Sequence, residues 1–238
     1  MKIKLLVAAA ATVVASSAMA QSAFEGFYGQ IATGYESNTM TNLGAPYTVT
    51  WSGGSSTGNS TVSNQTASGM PLVIGLGYTF AVTGPWLVGF GADYSALSQK
   101  TGSYSSTISG GSTTGNQIEI SNRYNIYVTP SYAIDKDKLV YLKAGYSSMQ
   151  SKFTSPAQGT DYAASNTTNP NGYILGLGYK QMITSGLYGF AEGNYMSYSN
   201  TSSTLTVNGY NNGAYTTKAA TNGGSNAYTL LVGVGYKF

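Results

Sequence analysis

The sequence predicts an all-β protein, an eight-stranded antiparallel up-and-down transmembrane β-barrel with four long connections at one end and short turns at the other. Three observations carry this expectation. Strand-length segments alternate between apolar and small or polar residues, which is the period of a sheet with two different faces. Charged residues make up only 8% of the chain, against about a quarter in soluble domains, whereas Tyr and Gly number 21 and 31. After the first twenty residues no segment approaches 18 consecutive apolar residues, and without a spanning helix only a closed barrel satisfies its backbone groups in lipid.

The beginning of the chain fits an export route. Lys2 and Lys4 precede an apolar run, Leu5 to Val14, followed by an A-x-A-like site, Ala18-Met19-Ala20. This reads as a cleaved signal peptide over 1–20, too short to span ~30 Å of hydrocarbon, with a single domain over 21–238. The absence of Cys argues against both an acylated anchor and a disulfide framework. Without Lys2 and Lys4, nine basic residues face eight acidic ones, a net of +1. Nothing in that balance indicates nucleic acid.

The first strand is expected from Gly26 to Ser37, with Phe27, Ile31 and Tyr35 on one face and Tyr28, Gln30, Ala32 and Gly34 on the other. A Ser/Thr/Gly/Asn tract, 38–68, precedes a second strand, 69–80, with Leu72, Ile74, Leu76, Tyr78 and Phe80 outward. A tight turn at 81–85 leads to the third, Trp86 to Ser98, in which Trp86, Val88, Phe90, Ala92 and Tyr94 alternate with Gly89, Gly91, Asp93 and Ser95. The fourth runs from Ile118 to Ile134 with Tyr124, Ile126, Val128, Pro130, Tyr132 and Ile134 outward. Pro130 cannot donate to the ladder, so a bulge is expected there. Asp135 to Lys138 forms a charged turn into the fifth, Leu139 to Ser151, with Val140, Leu142, Ala144 and Tyr146 outward. The sixth, Gly172 to Met182, shows Tyr173, Leu175, Leu177 and Tyr179.

The seventh strand, 187–200, is ambiguous. Turning Glu192 inward also turns Tyr188 and Phe190 inward, unless a bulge near Gly189 or Gly193 intervenes. Glu192 is assigned to the lumen because a charge facing mid-bilayer is costly. The last strand carries Tyr228, Leu230, Val232, Val234, Tyr236 and Phe238 on one face, and only Leu231 breaks the alternation. Tyr78, Tyr132, Tyr179 and Tyr236 fall near one end of the strands. Tyr35, Tyr94, Tyr124, Tyr146, Tyr173, Tyr195 and Tyr228 fall near the other, forming two belts suited to the membrane interfaces. The repeated Gly-x-Gly-Tyr segments lack the following helix of a phosphate loop. Their glycines instead make room in the lumen for larger side chains.

The chain has no His and no Cys. Ser-His-Asp and Cys-His catalysis are therefore absent from its repertoire, and neither an enzymatic activity, a cofactor nor a metal site is expected. Among the charged residues within strands, Asp93, Arg123, Lys143, Lys180 and Glu192 lie opposite the apolar face. An eight-stranded barrel is just wide enough for side chains to fill, so these five are expected to pair across the lumen as a plug or a gate. Glu119 is expected above Arg123. The loops, rich in Ser, Thr, Asn, Gly and Tyr, have a composition suited to adaptable contact.

With these residues in place, the Ala-Met-Ala site, the Gly-Leu-Gly-Tyr strands and the closing Gly-Val-Gly-Tyr-Lys-Phe238 resemble the small bacterial outer-membrane β-barrel family, the group of OmpX, the opacity proteins and the OmpA barrel domain. The resemblance implies location in the bacterial outer membrane, long connections facing outside and short turns facing the periplasm. It also implies lipid and lipopolysaccharide as surroundings, and Tyr228, Leu230, Val232, Val234, Tyr236 and Phe238 as the signature read by the barrel assembly machinery. The barrel is expected to be a monomer, with no soluble domain after Phe238. Enzymes among such small barrels rely on a His that this chain lacks. Two functions remain open: a structural or adhesion-type surface protein acting through its extracellular loops, and a narrow passive channel. A secreted soluble β-protein is the competing class.

Overall fold

The barrel closes into a ring in a computed structural model that describes residues 23–108 and 111–238. The signal peptide expected over 1–20 lies outside the described residues. Eight strands form the ring: β1 (Gly26–Thr41), β2 (Leu72–Thr83), β3 (Trp86–Ser95), β4 (Gly111–Ala133), β5 (Lys138–Ser155), β6 (Asn171–Met182), β7 (Leu187–Tyr210) and β8 (Ala214–Lys237). Each is antiparallel to its chain neighbours, and β1 closes the ring on β8 with Ile31 opposite Val234. No helix occurs among the described residues.

The outer face is apolar because alternation holds through the membrane portion. Phe27, Ile31, Ile74, Leu76, Phe90, Ile126, Leu142, Leu177, Leu230, Val232 and Val234 are all exposed on it. Tyrosines mark its upper edge in register: Tyr94 opposes Tyr124, Tyr146 opposes Tyr173 and Tyr195 opposes Tyr228. At the lower edge Phe27 packs edge-on to Tyr78 at 4.6 Å, and Trp86 does so to Tyr132 at 5.0 Å. Such a belt, wet at both rims and dry between, is the outside of a barrel in lipid.

Two expectations are corrected, and one point left open is resolved. Pro130 makes no bulge: it sits in register opposite Val88, and the pairs flanking it toward β5, Tyr141 with Ser131 and Ala144 with Val128, keep one register. The bulge lies higher on β4. Ser148 of β5 opposes Tyr124 while Gln150 opposes Ser121, so β4 holds one extra residue there, and Asn122 takes a φ of 50°. Asn tolerates that left-handed conformation better than most residues. The bulge flips the facing of everything above it. Ile118 and Ile120 therefore turn inward, and Glu119 turns out to meet Lys100 at 3.4 Å instead of standing over Arg123.

The point left open on β7 resolves without a bulge at Gly189 or Gly193. The pairing of β7 with β6 and β8 is regular as far as Tyr198, and Tyr188, Phe190 and Glu192 all face the lumen. The aromatics fit because β8 offers glycines: a side chain at Gly233 would meet the Phe190 ring, and one at Gly235 the Tyr188 ring. Leu231, the residue that breaks the outer alternation, packs with them inside.

The second correction concerns the polar tracts, which are mostly strand rather than irregular loop. β4, β5, β7 and β8 continue beyond the upper Tyr belt, and β7 and β8 form one hairpin turning at 211–213. A further hairpin, Pro46–Trp51 with Gly54–Asn59, adds to the upper part of β8, and Ala164–Thr168 adds to β5. Thr, Ser and Tyr recur at every second position in these tracts, and the backbone pairs accordingly.

Candidate functional site

The lumen is layered. Its middle layer is built on the glycine repeats: Asp93 opposes Gly75, Lys143 opposes Gly176 and Glu192 opposes Gly178, and the space left over Gly176 and Gly178 is taken by Asn194 and the Tyr141 ring. Lys143 Nζ lies 2.7 Å from Asp93 Oδ2 and 2.9 Å from Glu192 Oε1, with the three side chains at most 3% exposed. Neutral partners use the remaining carboxylate lone pairs. Asn125 donates to Asp93 at 2.5 Å, Tyr141 to Glu192 at 2.7 Å and Asn194 to Glu192 at 2.8 Å. The ammonium also sits 4.0 Å over the Tyr127 ring. Buried ions persist only when their remaining hydrogen-bonding capacity is met in this way.

Lys180 stands apart from that cluster. Its strand register sets it opposite Phe190 rather than Glu192, one step closer to the periplasm. There its ammonium lies over the rings of Tyr28, Tyr188 and Tyr141, at 4.2, 4.8 and 5.3 Å. Cation–π attraction takes the place of a carboxylate. Arg123 belongs to a separate, higher layer. Its Nη1 is 2.7 Å from Glu36 Oε1, an electrostatic contact rather than a well-aimed hydrogen bond. Its Nη2 donates to Asn38 Oδ1 and reaches Met149 Sδ at 3.4 Å. Asn38 in turn donates to Glu36 at 2.7 Å.

Of the five strand charges, the structure thus joins Asp93, Lys143 and Glu192 and sends Arg123 and Lys180 elsewhere. Glu36 was overlooked by sequence reasoning, although parity with Tyr28, Gln30 and Ala32 already set it on the lumen side. Tyr141, Asn125 and Asn194 were overlooked because a neutral polar residue in a strand carries no sequence signal of its own. The closing-strand residues Tyr228, Leu230, Val232, Val234, Tyr236 and Phe238 all face outward, and the Phe238 amide donates to the Phe27 carbonyl at 2.9 Å.

Above the Arg123 layer the interior turns apolar. Met40, Ile118, Ile120, Met149, Met196 and Tyr198 form its buried cluster, and over this opens a cavity of about 260 Å³ walled by the strand extensions.

No family model and no curated protein sequence matches the chain. Among solved structures, the barrel is similar to the outer membrane protease OmpT from Escherichia coli, with a TM-score of 0.53 and 12% identity, over 94% of this chain and 100% of that one. A closed ring of eight antiparallel strands, apolar outside and belted by tyrosine, decides the class. The chain has the fold of an eight-stranded outer-membrane β-barrel. Two further barrels are similar: Ail, the attachment invasion locus protein of Yersinia pestis, at TM-score 0.45 and 15% identity over 90% of this chain and 99% of that one, and OprG from Pseudomonas aeruginosa, at 0.49 and 14% over 90% and 96%. Identities this low describe the fold of the outer-membrane barrel and leave its activity to its own residues.

Proposed function

We propose that this outer-membrane barrel is non-enzymatic and acts at the cell surface through its extracellular strand extensions, with its lumen closed to passive solutes. The observation that carries the proposal is the division of the molecule. At and below the upper Tyr belt the lumen charges are held within the barrel: Lys143 by Asp93 and Glu192, Arg123 by Glu36, and Lys180 by the rings of Tyr28, Tyr141 and Tyr188. Above it, β8 runs from Tyr228 back to Ala214, roughly 45 Å of chain at ~3.3 Å per residue. The far end of the extension displays exposed aromatics, Trp51, Tyr162 and Tyr210. They belong to one region: Trp51 opposes Tyr215, the Tyr162 amide donates to the Asn208 carbonyl, and Tyr210 opposes Ala214. Large rigid aromatics among Ser, Thr and Asn suit a contact surface, since they bury area at low entropy cost. The lack of His and Cys supports a role without catalysis.

The alternative, a narrow passive channel, requires the Asp93–Lys143–Glu192 cluster to swing aside. Two measurements separate the readings. Purified barrel in planar bilayers is expected to be silent, and cells displaying it are expected to lose autoaggregation or attachment to protein-coated surfaces when Trp51, Tyr162 and Tyr210 are all replaced by Ala. Reproducible single-channel openings that change with Lys143→Met, alongside unchanged attachment, would establish the channel instead.

A further inference from the structure

The cavity in the extension is lined with apolar side chains although it stands outside the membrane, in a part of the chain whose composition is otherwise polar. Two backbone irregularities contribute to that lining. The bulge at Asn122 turns Ile118 inward. A second register shift on β7, between Tyr198 and Thr201, gives that strand an extra residue against β8. Below it the even-numbered residues of β7 face the lumen; above it Leu205 and Val207 line the cavity. Without the two shifts these side chains would point outward into water. Bulges that re-aim side chains are built features, and here both re-aim apolar groups into the same space.

We infer that this cavity is a binding site for a small, uncharged apolar molecule about the size of a two-ring aromatic. Size sets the first limit. An apolar cavity of about 150 Å³ accepts benzene, and 260 Å³ accommodates a molecule roughly half as large again. Charge sets the second. No Lys or Arg lines the cavity, and its one carboxylate, Asp161, accepts a hydrogen bond from Tyr215. The nearby Lys152 and Lys218 occupy the alternate, exposed positions of their strands. Arg123, beneath the Met149 floor, is matched by Glu36. A carboxylate or phosphate ligand would therefore enter without a counter-ion, whereas a neutral hydrocarbon needs none. The polar groups of the walls, among them Asn116 and Gln158, largely bond within the protein, Asn116 to Thr113 and Gln158 to Thr114. Tyr162, one of the aromatics proposed to contact other surfaces, also borders this cavity, whereas Trp51 and Tyr210 do not.

Methionine methyls supply a readout that lipid partitioning cannot imitate. Met40 and Met149 line the cavity, and Met70 and Met182 do not. In lipid nanodiscs containing the methyl-¹³C-Met protein, naphthalene is expected to shift the Met40 and Met149 signals saturably, with intermolecular NOEs to both and none to Met70 or Met182. Ala219→Trp, which fills the cavity from β8, is expected to abolish the saturable shift while the remaining methyl spectrum stays folded. Should that variant unfold, Val207→Asp, at a second lining position, gives the same expectation. Linear, non-saturable shifts on all four methyls would overturn the site. Saturation by 2-naphthoate at equal or lower concentration than naphthalene would overturn its assignment to neutral ligands.

Discussion

Replacing Lys143 by Met removes one ammonium and little volume, and leaves Asp93 and Glu192 as two buried carboxylates with no cation between them. In the native barrel the ammonium holds them at 2.7 and 2.9 Å. At an effective dielectric constant of about 20, each of these ion pairs is worth about 6 kcal/mol of gross Coulomb attraction. Desolvation of the three ions, several kcal/mol apiece, offsets most of this, so the native cluster contributes little net. Removing only the cation keeps the desolvation cost and discards the attraction, for which ~3–5 kcal/mol is expected. The assay is urea unfolding in lipid vesicles, followed by fluorescence of Trp51 and Trp86 and by heat-modifiable gel migration. A triple variant, Lys143→Met with Asp93→Asn and Glu192→Gln, keeps the shapes and discards all three charges, and it is expected to regain most of the loss. Two results would refute the reasoning: a single variant within about 1 kcal/mol of the native protein, or a triple variant as unstable as the single one.

Arg123→Lys is expected to destabilise by about 2–4 kcal/mol in the same assay, because an ammonium cannot reach Glu36, Asn38 and Met149 together as the planar guanidinium does. Gly178→Ala, whose new methyl would meet the Tyr141 ring, is expected to cost ~1–3 kcal/mol. Gly102→Ala, with open space around it, is expected to stay within about 0.5 kcal/mol. Val232→Arg, midway down the lipid face, is expected to cost ~2–4 kcal/mol in unfolding from lipid vesicles. At the Asp135–Lys138 turn, the Lys138 side chain donates to Asp135 at 2.9 Å, and this bond, with the Asp137 amide, holds the Asp135 carboxyl below the usual range. The turn's ion pair is therefore present above the ordinary Asp range and lost as pH falls through the depressed value. A carboxyl NMR titration should show that low midpoint, and Lys138→Ala should raise it.

The membrane portion was legible because one strong rule governs it. Any residue at an even step from Phe27, Leu76, Phe90 or Val232 faces lipid, and a single misplaced register would expose a charge there. Leu231 and Phe190 looked like exceptions only because the volume left by Gly233 and Gly235 is a property of neighbouring strands, which one strand's pattern does not display. Above the membrane the rule weakens. Ser, Thr and Asn tolerate either face, so the shifts at Asn122 and after Tyr198 left no trace in composition. Thr204-Leu205-Thr206-Val207 does alternate, and weighing that alternation above the polar content would have extended β7 and found part of the cavity wall.

Seven of the eight seams in the ring join strands that follow one another along the chain, and the eighth joins β1 to β8. Adjacent hairpins zip with small loop-closure entropy, whereas the β1–β8 latch spans nearly the whole described chain and is the slow, non-local event. Until it shuts, the inner face is an open gutter wetted by water. Asp93, Lys143 and Glu192 come from β3, β5 and β7, and Glu36 meets Arg123 across from β1 to β4, so neither group can shed its hydration before the cylinder rounds up. Dehydration of the charged interior and fastening of the final seam are consequently one kinetic step, and substitutions at the lumen charges should alter the rate of closure while leaving the earlier hairpin phases untouched.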